Sequence, residues 1–241
     1  MFNNNTNLFE LDKYFKNIEK QIYIKHENKF IIARLDGVKF RRVWNVVNYE
    51  ERLLVMKAMV QATTKVMQDL VDGFVGYVQT DESSIIFNKE RSLNLKVQKL
   101  ASIIASRFTL EFNKYLLSII EDKQTDFYKL VSNGLYFDCR LIAVNYNDLH
   151  KYIVYRQLFC IVNSYNKVLR DKSKIEINPL YFHYNDMENL KYYSEWDKYP
   201  TYIKYGNLIV KENKSYKVYN KIRFLGKSNL LEECLECSKL K

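Results

Sequence analysis

The sequence predicts an α+β fold of ferredoxin-like order: an antiparallel sheet with helices on one face, then a C-terminal helical and small-strand extension. Four short apolar runs bounded by turn residues predict strands, and two longer runs with helical apolar spacing predict helices. In chain order these are residues 30–35 (strand), 49–71 (helix), 74–79 and 84–87 (strands), 94–117 (helix) and 135–142 (strand). The order βαββαβ is the split ferredoxin-like unit, whose first and third strands are antiparallel neighbours.

The helix at residues 49–71 is the clearest element of the chain. Helix-forming residues there carry a broad apolar stripe, as expected of a helix that packs on a sheet. Asn48, with Glu51 three residues later, has the pattern of an N-terminal capping box. We therefore expect a long helix that begins directly after Asn48.

Further helices are predicted on both sides of the βαββαβ unit, at residues 7–20 and 147–169. From about residue 171 the periodicity weakens, and tyrosine, asparagine and lysine dominate. Short strand-like pieces follow at residues 202–205, 208–211 and 215–218. We expect residues 1–145 to form the catalytic domain with its N-terminal helix. Residues 146–241 would form a C-terminal helix and a tyrosine- and lysine-rich subdomain packed on that domain.

The composition favours a polyanionic partner. Lysine and arginine number 38 against 28 aspartates and glutamates, giving a formal net charge of +10. Such a balance favours nucleic acid over a membrane surface as the partner. No apolar run approaches the 18 residues or so of a transmembrane helix, and the first residues resemble neither a signal peptide nor an arginine-rich transit peptide. We expect an intracellular, cytoplasmic protein without a membrane partner, and a mitochondrial location stays open.

The cysteine content fits reduced thiols in that compartment. The four cysteines are Cys139, Cys160, Cys234 and Cys237. Cys234 and Cys237 have the spacing of half a zinc site, but no second half lies nearby, and His183 is about fifty residues upstream. We prefer the interpretation of two free thiols there, and their role stays open.

Two acidic turns are predicted to meet at one edge of the sheet. The first strand runs into Asp36 and Gly37, and Asp81 and Glu82 open the third. An Asp-Gly pair alone indicates only a common turn, but the predicted topology places Asp36 beside Asp81. Converging carboxylates are stabilised by a cation, and Mg²⁺ binds through one or two carboxylates with phosphate oxygens and water. The pattern predicts a two-Mg²⁺ site like that of polymerases.

The backbone amides that follow Asp36 are candidates for binding a triphosphate. They belong to Gly37, Val38, Lys39 and Phe40. The side chain of Lys39 adds a positive charge. Lys96 and Lys99 are three apart, hence on one helix face, and are further candidates for the phosphates. Plain solvated surface charge is the alternative interpretation of each lysine.

Several short segments resemble the signature segments of one enzyme family. They are RLDGVKF at residues 34–40, YVQTDESS at 77–84, NLKVQKL at 94–100, FDCR at 137–140, YRQ at 155–157, and YP at 199–200 followed by KYG at 204–206. In this order they resemble the tRNA-histidine guanylyltransferase superfamily, whose members add nucleotides in the 3′-to-5′ direction. The resemblance covers residues 30–212 and implies a polymerase palm, which agrees with the ferredoxin-like order.

The resemblance also implies roles for individual residues. Two Mg²⁺ ions would bind to Asp36, the Gly37 carbonyl and Asp81, with Glu82 as a further catalytic acid. The nucleotide-binding positions would be Asp36, Gly37, Val38, Lys39, Phe40, Arg41, Thr80, Asp81, Lys96 and Lys99. The RNA-binding positions would be Arg140, Arg156, Gln157 and Asn163. By the same resemblance the substrates are tRNA and nucleoside triphosphates including ATP and GTP, and the protein is a homotetramer, a dimer of dimers.

The implied reaction extends a tRNA at its 5′ end. ATP or GTP activates the 5′-phosphate, the 3′-hydroxyl of an incoming nucleoside triphosphate attacks it, and pyrophosphate leaves. The segment CIVNS at residues 160–164 stands where the histidine-tRNA enzymes carry His-Ile-Asn-Asn. This departure favours the guanylyltransferase-like branch, which repairs truncated 5′ ends on the opposite strand as template. Thr80 replaces the usual serine and keeps a hydroxyl, whereas Lys96 replaces the usual arginine and loses its bidentate geometry.

Three alternatives remain open. Within the same class, the protein would add a single guanosine to histidine tRNA. Outside it, a palm-fold nucleotide cyclase is disfavoured, because Gln79-Thr80 stands where diguanylate-type cyclases have a Gly-Gly pair. A non-catalytic tRNA-binding protein is disfavoured because Asp36 and Asp81 are both present.

Overall fold

The computed structural model describes residues 8–19, 29–89, 96–173 and 191–219, with no account of the side chains of residues 19 and 171–173. The helices within these residues are α1 (Leu8–Glu19), α2 (Arg41–Val46), α3 (Tyr49–Val66), α4 (Val97–Ile119), α5 (Asp126–Ser132), α6 (Tyr146–Ser173), α7 (Tyr193–Asp197) and α8 (Thr201–Tyr205). The strands are β1 (Phe30–Gly37), β2 (Val75–Gln79), β3 (Glu82–Asn88), β4 (Phe137–Val144), β5 (Asn207–Glu212) and β6 (Ser215–Tyr219). A π-helical turn, Met67–Val71, continues α3.

The strands form one antiparallel sheet in the order β4-β1-β3-β2-β5-β6. Its first four strands have the ferredoxin-like order, so the predicted topology is confirmed. The β5–β6 hairpin extends the sheet beyond β2, where β5 pairs with residues 75–78. The sheet thus joins the βαββαβ unit to the C-terminal part of the chain, and the predicted division at residue 145 stays a prediction.

Each face of the sheet is covered by helices. Helices α3 and α4 of the βαββαβ unit share one face, as predicted, and pack on the alternate apolar residues of β1 and β3. Helices α1 and α6 cover the opposite face, where they form a second apolar cluster with β2, β4 and β5. Helix α6 also packs against α7 and α8, so it is buried along most of its length.

Local sequence signals account for most of the element boundaries. Asn48 Oδ1 accepts from the Glu51 amide at 2.9 Å, and Glu51 Oε2 accepts from the Asn48 amide at 2.8 Å. This reciprocal pair is the capping box predicted for α3, which is confirmed. After the π-helical turn, Asp72 adopts a left-handed conformation with φ 49° and directs the chain into β2.

One predicted strand is wrong. Residues 202–205, expected to form a short strand, form helix α8 directly after Pro200. Proline fits at a helix start because its fixed φ suits the first turn and its missing amide proton is not needed there. The strands predicted at residues 208–211 and 215–218 are confirmed as β5 and β6.

Besides α8, three short helices among the described residues were not predicted: α2, α5 and α7, none longer than seven residues. Elements of that length show too few turns for periodicity to reveal them. The predictions that concern His183, Cys234, Cys237 and residues 94–95 lie outside the described residues. Among the described helices, none has the length and apolar character needed to cross a membrane.

Candidate active site

The two acidic turns meet at one end of the sheet, as the topology predicted. Asp36 is paired with Glu82 across β1 and β3, and the Gly37 amide donates to the Asp81 carbonyl at 3.0 Å. Thr80 and Asp81 form the turn between β2 and β3, with Thr80 in a left-handed conformation at φ 43°. This turn holds Asp81 beside the end of β1.

A third carboxylate, which the sequence did not single out, lies in the same row. Asp138 of β4 pairs with Asp36, so Asp138, Asp36 and Glu82 occupy adjacent strands at one level and form what we call the acidic row. Directly opposed residues point to the same face of a sheet. The FDCR motif contains Asp138, but only the β1–β4 register reveals that it lies next to Asp36.

Arginines occupy the next level of the same face. Arg34 pairs with Arg140 across β1 and β4. Arg34 Nε lies 3.1 Å from Glu82 Oε2, and its Nη2 lies 3.8 Å from Asp36 Oδ2. Arg140 Nη2 lies 3.4 Å from Asp138 Oδ2. Each acid of the row therefore has an arginine neighbour, which offsets the repulsion between like charges on adjacent strands.

Two carboxyl groups at this end of the sheet, those of Asp36 and Asp81, have raised pKa values. Burial, followed by the charge of Asp36, raises the pKa of Asp81 to about 6, against the opposing effect of hydrogen bonds from its own backbone and from Thr80. Burial and the charges of Glu82 and Asp138 raise the pKa of Asp36, although Arg34 acts in the opposite direction. A bound cation would relieve this strain between like charges.

We expect the free energy of unfolding of the metal-free protein to fall as pH rises from about 4 to about 6, through the charging of Asp81. The unfolded carboxyl loses its proton near pKa 3.8, whereas the folded one keeps it to about 6, so the folded state binds more protons in this interval. A shift of that size corresponds to roughly 3 kcal/mol. Asp81→Asn should remove this component and raise the melting temperature at pH 7. Denaturant unfolding in a chelator at pH 4.5 and 7 measures it, and equal pH slopes in both proteins would contradict it.

Glu82 is enclosed by donors from the protein itself. Its Oε2 accepts from Arg34 Nε and from Arg156 Nη2, and its Oε1 accepts from Gln79 Nε2 at 3.3 Å. The residue is 6% exposed. These contacts occupy both carboxylate oxygens and do not favour direct contact between Glu82 and a substrate. The catalytic role of Glu82 stays a prediction.

Two of the predicted RNA contacts are corrected by the structure. Arg156 is 5% exposed and binds Glu82, and Gln157 is fully buried with its amide donating to the Tyr205 carbonyl at 3.2 Å. Side chains enclosed on a buried helix do not reach RNA. In this structure both residues instead connect α6 to neighbouring elements. Arg140 and Asn163 are exposed, and their RNA contact stays a prediction.

The loop after Asp36 offers fewer amides than predicted. The Gly37 amide is bound to Asp81, and the Val38 amide donates to the Tyr136 carbonyl at 2.8 Å. Neither is available to a phosphate in this conformation. Lys39 follows in a left-handed conformation at φ 58°, with its side chain exposed. Next comes Phe40, which is 1% exposed.

The ring of Phe40 lies directly on Gly37. A Cβ atom added to Gly37 would come within 2.2 Å of Phe40 Cδ2. The same ring packs against Phe137 at 5.0 Å and Phe112 at 5.9 Å between centroids. Glycine at position 37 therefore lets the loop fold back over the core of the α3–α4 face.

The remaining predicted phosphate contacts lie on the surface. Lys96 and Lys99 are exposed at the start of α4, and no contact among the described residues joins them to Asp36 or Asp81. Arg41 is exposed at the start of α2. Their roles in nucleotide binding stay predictions.

Comparison with known proteins identifies a family for the part of the chain that carries these acids. A family model described as tRNAHis guanylyltransferase matches residues 12–145, which is more than half of the chain and includes β1 to β4. The chain belongs to the tRNAHis guanylyltransferase family. The matched segment contains Asp36, Asp81, Glu82 and Asp138.

Relatives within the family are distant. The probable tRNA(His) guanylyltransferase of Mus musculus is 29% identical over 146 residues, covering 58% of this chain and 46% of the relative. The Drosophila melanogaster protein of the same name is 32% identical over 115 residues, covering 43% and 38% respectively. The chain therefore spans less than half the length of these two family members.

Solved structures of family proteins share the fold. A bacterial tRNA(His) guanylyltransferase-like protein in complex with ATP has a TM-score of 0.68 at 20% identity, covering 93% of this chain and 97% of that one. The Saccharomyces cerevisiae tRNA(His) guanylyltransferase gives 0.61 at 20% identity, covering 85% and 94%. These likenesses confirm the predicted α+β, palm-like fold of the family.

The carboxylates of Asp36 and Asp81 are oxygen donors of the kind that Mg²⁺ binds. Among the residues that the structure describes, no group of three or more His, Cys, Asp or Glu side chains is arranged to hold a metal ion. Mg²⁺ commonly binds through only one or two carboxylates and completes its shell with water and phosphate oxygens. Asp36 and Asp81 supply such a pair. Burial and neighbouring carboxylates raise the pKa of both, and a bound cation would favour their ionised forms.

Proposed function

We propose that the protein is a template-dependent 3′-to-5′ nucleotidyltransferase that adds nucleotides to the 5′ end of truncated tRNA. The observation that carries the proposal is the meeting of Asp36 and Asp81 where β1 ends and β3 begins, in a chain of the tRNAHis guanylyltransferase family. The fold neighbours described in complex with ATP and with GTP support nucleoside triphosphates as substrates.

In this proposal Asp36, the Gly37 carbonyl and Asp81 hold two Mg²⁺ ions beside the triphosphate. When bound, such ions neutralise charge on the attacking and leaving oxygens of an in-line displacement. Thr80 keeps the Asp81 carboxylate in place through a hydrogen bond. Arg41, Lys96 and Lys99 supply positive charge to the phosphates, since all three side chains are exposed.

The chain's residues mainly position the reactants. Phosphoryl transfer requires the attacking 3′-hydroxyl, the activated 5′-phosphate and the leaving group to be aligned, and alignment supplies much of the rate. The loop at residues 37–40 is anchored to Asp81 and Tyr136 by its first two amides. It therefore forms a fixed wall, with the amides of Lys39 and Phe40 left to bind phosphate.

The preference for repair over single-guanosine addition rests on Cys160. This residue stands at the segment where the histidine-tRNA enzymes carry their histidine, and here it is 1% exposed, with Sγ 3.5 Å from the Ile203 carbonyl oxygen. A buried thiol does not contact tRNA, so that recognition element is missing. Exposed Arg140 and Asn163 and the net charge of +10 support tRNA as the polyanionic partner. The homotetramer and the cytoplasmic location stay predictions.

An assay of two tRNA substrates tests the proposal. We expect incorporation of nucleotides matched to the opposite base on a 5′-truncated tRNA. Histidine tRNA that lacks only its extra guanosine should be a poorer substrate. Incorporation restricted to guanosine on histidine tRNA would instead support the single-addition activity for which the relatives are named. No incorporation on either RNA, with retained RNA binding, would contradict both.

A further inference from the structure

A buried arginine of helix α6, Arg156, contacts Glu82 of the acidic row. Arg156 Nη2 donates to Glu82 Oε2, the same oxygen that accepts from Arg34 Nε. The Arg156 guanidinium lies 4.9 Å from the ring centroids of both Tyr155 and Phe159. Two aromatic rings and an ion pair thus fix the guanidinium in the interior, where its charge is poorly screened.

The position of Glu82 makes this contact relevant to the cation site. Glu82 lies directly opposite Asp36 and next to Asp81 in sequence. Opposed residues of antiparallel strands have their Cβ atoms about 5 Å apart. A carboxylate so placed would be within reach of a cation held by Asp36 and Asp81 unless other groups restrain it.

We propose that Arg156 is a positioning residue that holds Glu82 against Arg34 and so keeps the Glu82 carboxylate out of the cation site of Asp36 and Asp81. The inference rests on the proposed function, because it assumes that those two aspartates bind the metal. With both Glu82 oxygens occupied, the cation keeps coordination positions for phosphate oxygens and water, as Mg²⁺ requires. Without Arg156, Arg34 is the one guanidinium among the described residues left to pair with Glu82. Part of the buried negative charge of Glu82 is then not balanced, and a divalent cation is its strongest partner.

The test is Mn²⁺ binding to the full chain, followed by electron paramagnetic resonance without nucleotide. Arg156→Met, which keeps the volume and removes the charge, is expected to bind Mn²⁺ on the order of tenfold more tightly. In nucleotide addition, kcat should fall by about tenfold with KM for the triphosphate little changed, since Arg156 does not touch substrate. Adding Glu82→Gln to Arg156→Met should return the Mn²⁺ affinity to that of the unsubstituted protein.

Lys204→Met is the matched control. Lys204 is also a buried cation, 6% exposed, with Nζ 2.7 Å from Asp197 Oδ1 and over the Trp196 ring at 5.1 Å. Its partners here, Asp197 and Trp196, belong to α7 and not to the acidic row. Its removal should lower thermal stability without changing Mn²⁺ affinity.

Several results would overturn the proposal. Unchanged or weaker Mn²⁺ binding in Arg156→Met would show that the ion pair between Arg156 and Glu82 has only a structural role. Should Arg156→Met fail to fold, Arg156→Lys is measured, and it should retain the Mn²⁺ affinity and most of kcat. Failure of both to fold, while Lys204→Met folds, would also establish a purely structural role. If Asp36→Asn does not reduce Mn²⁺ binding, or if the unsubstituted protein binds no Mn²⁺, the proposed function is contradicted instead.

Discussion

Replacing Asp81 by alanine should abolish nucleotide addition and leave tRNA affinity within a few fold of that of the unsubstituted protein. Asp81 and Asp36 are the proposed metal-binding carboxylates, which meet where β1 ends and β3 begins, and Asp81 contributes nothing to the exposed basic surface. Metal ions at such sites supply several kcal/mol of transition-state stabilisation, so loss of one ligand should lower kcat by about a thousandfold. Steady-state incorporation and filter binding of the same tRNA measure the two quantities.

Asp126→Ala is the control for that experiment. Its side chain is 84% exposed and is paired with Lys129 on the surface of α5, so its replacement by alanine should leave kcat unaltered. Retained activity in Asp81→Ala would show that the metal assignment is wrong. Parallel loss of tRNA affinity would instead indicate that the turn at residues 80–81 contacts RNA.

Gly37→Ala should damage both stability and activity, although the added group is a single methyl. The new Cβ would lie 2.2 Å from Phe40 Cδ2 and 2.6 Å from Phe40 Cγ, which no adjustment of a few tenths of an ångström relieves. Phe40 would have to leave its contacts with Phe112 and Phe137, and overpacking of this kind costs about 1–3 kcal/mol. A shift of about 1 Å at the catalytic loop costs on the order of a hundredfold in kcat. Thermal unfolding and steady-state kinetics measure the two effects.

Gly73→Ala provides a matched comparison. There the added Cβ would lie 3.0 Å from Ile85 Cγ2 and from Met67 Cγ, a contact that a movement of a few tenths of an ångström relieves, so we expect a smaller loss of stability and near-normal kcat. A smaller residue at position 40, Phe40→Leu, should recover part of the activity lost in Gly37→Ala. Full activity of Gly37→Ala alone would show that the loop at residues 37–40 is not a fixed wall of the site.

The order of elements was sufficient to predict where the acids meet. A βαββαβ succession allows few sheet topologies, and only the split order places Asp36 beside Asp81. The contact between the Gly37 amide and the Asp81 carbonyl confirms it. Asp138 was not recognised because its position depends on the register between β1 and β4, which no local pattern encodes.

The burial of α6 was the feature that the sequence did not reveal. Periodicity identifies the face that a helix buries against a sheet, but α6 is enclosed by the sheet, α1, α7 and α8 together. The RNA-binding roles that the resemblance implied for Arg156 and Gln157 therefore met no objection from the sequence. Charged side chains are almost never fully buried unless they are paired, and the partner of Arg156 lies 74 positions away in the chain.

The way in which the two ends of the described chain close over one face of the sheet has a consequence for synthesis on the ribosome. Tyr155 of α6 donates to Asp12 of α1 across 143 positions, and Tyr77 donates to the Tyr205 carbonyl across 128 positions. Pairings this distant form slowly, because the intervening loop must be closed before they stabilise anything. Until α6 and β5 have emerged, the growing chain exposes the apolar residues of β2 and β4 and an unpaired strand edge. The nascent protein is therefore expected to need chaperone protection until its C-terminal strands are made.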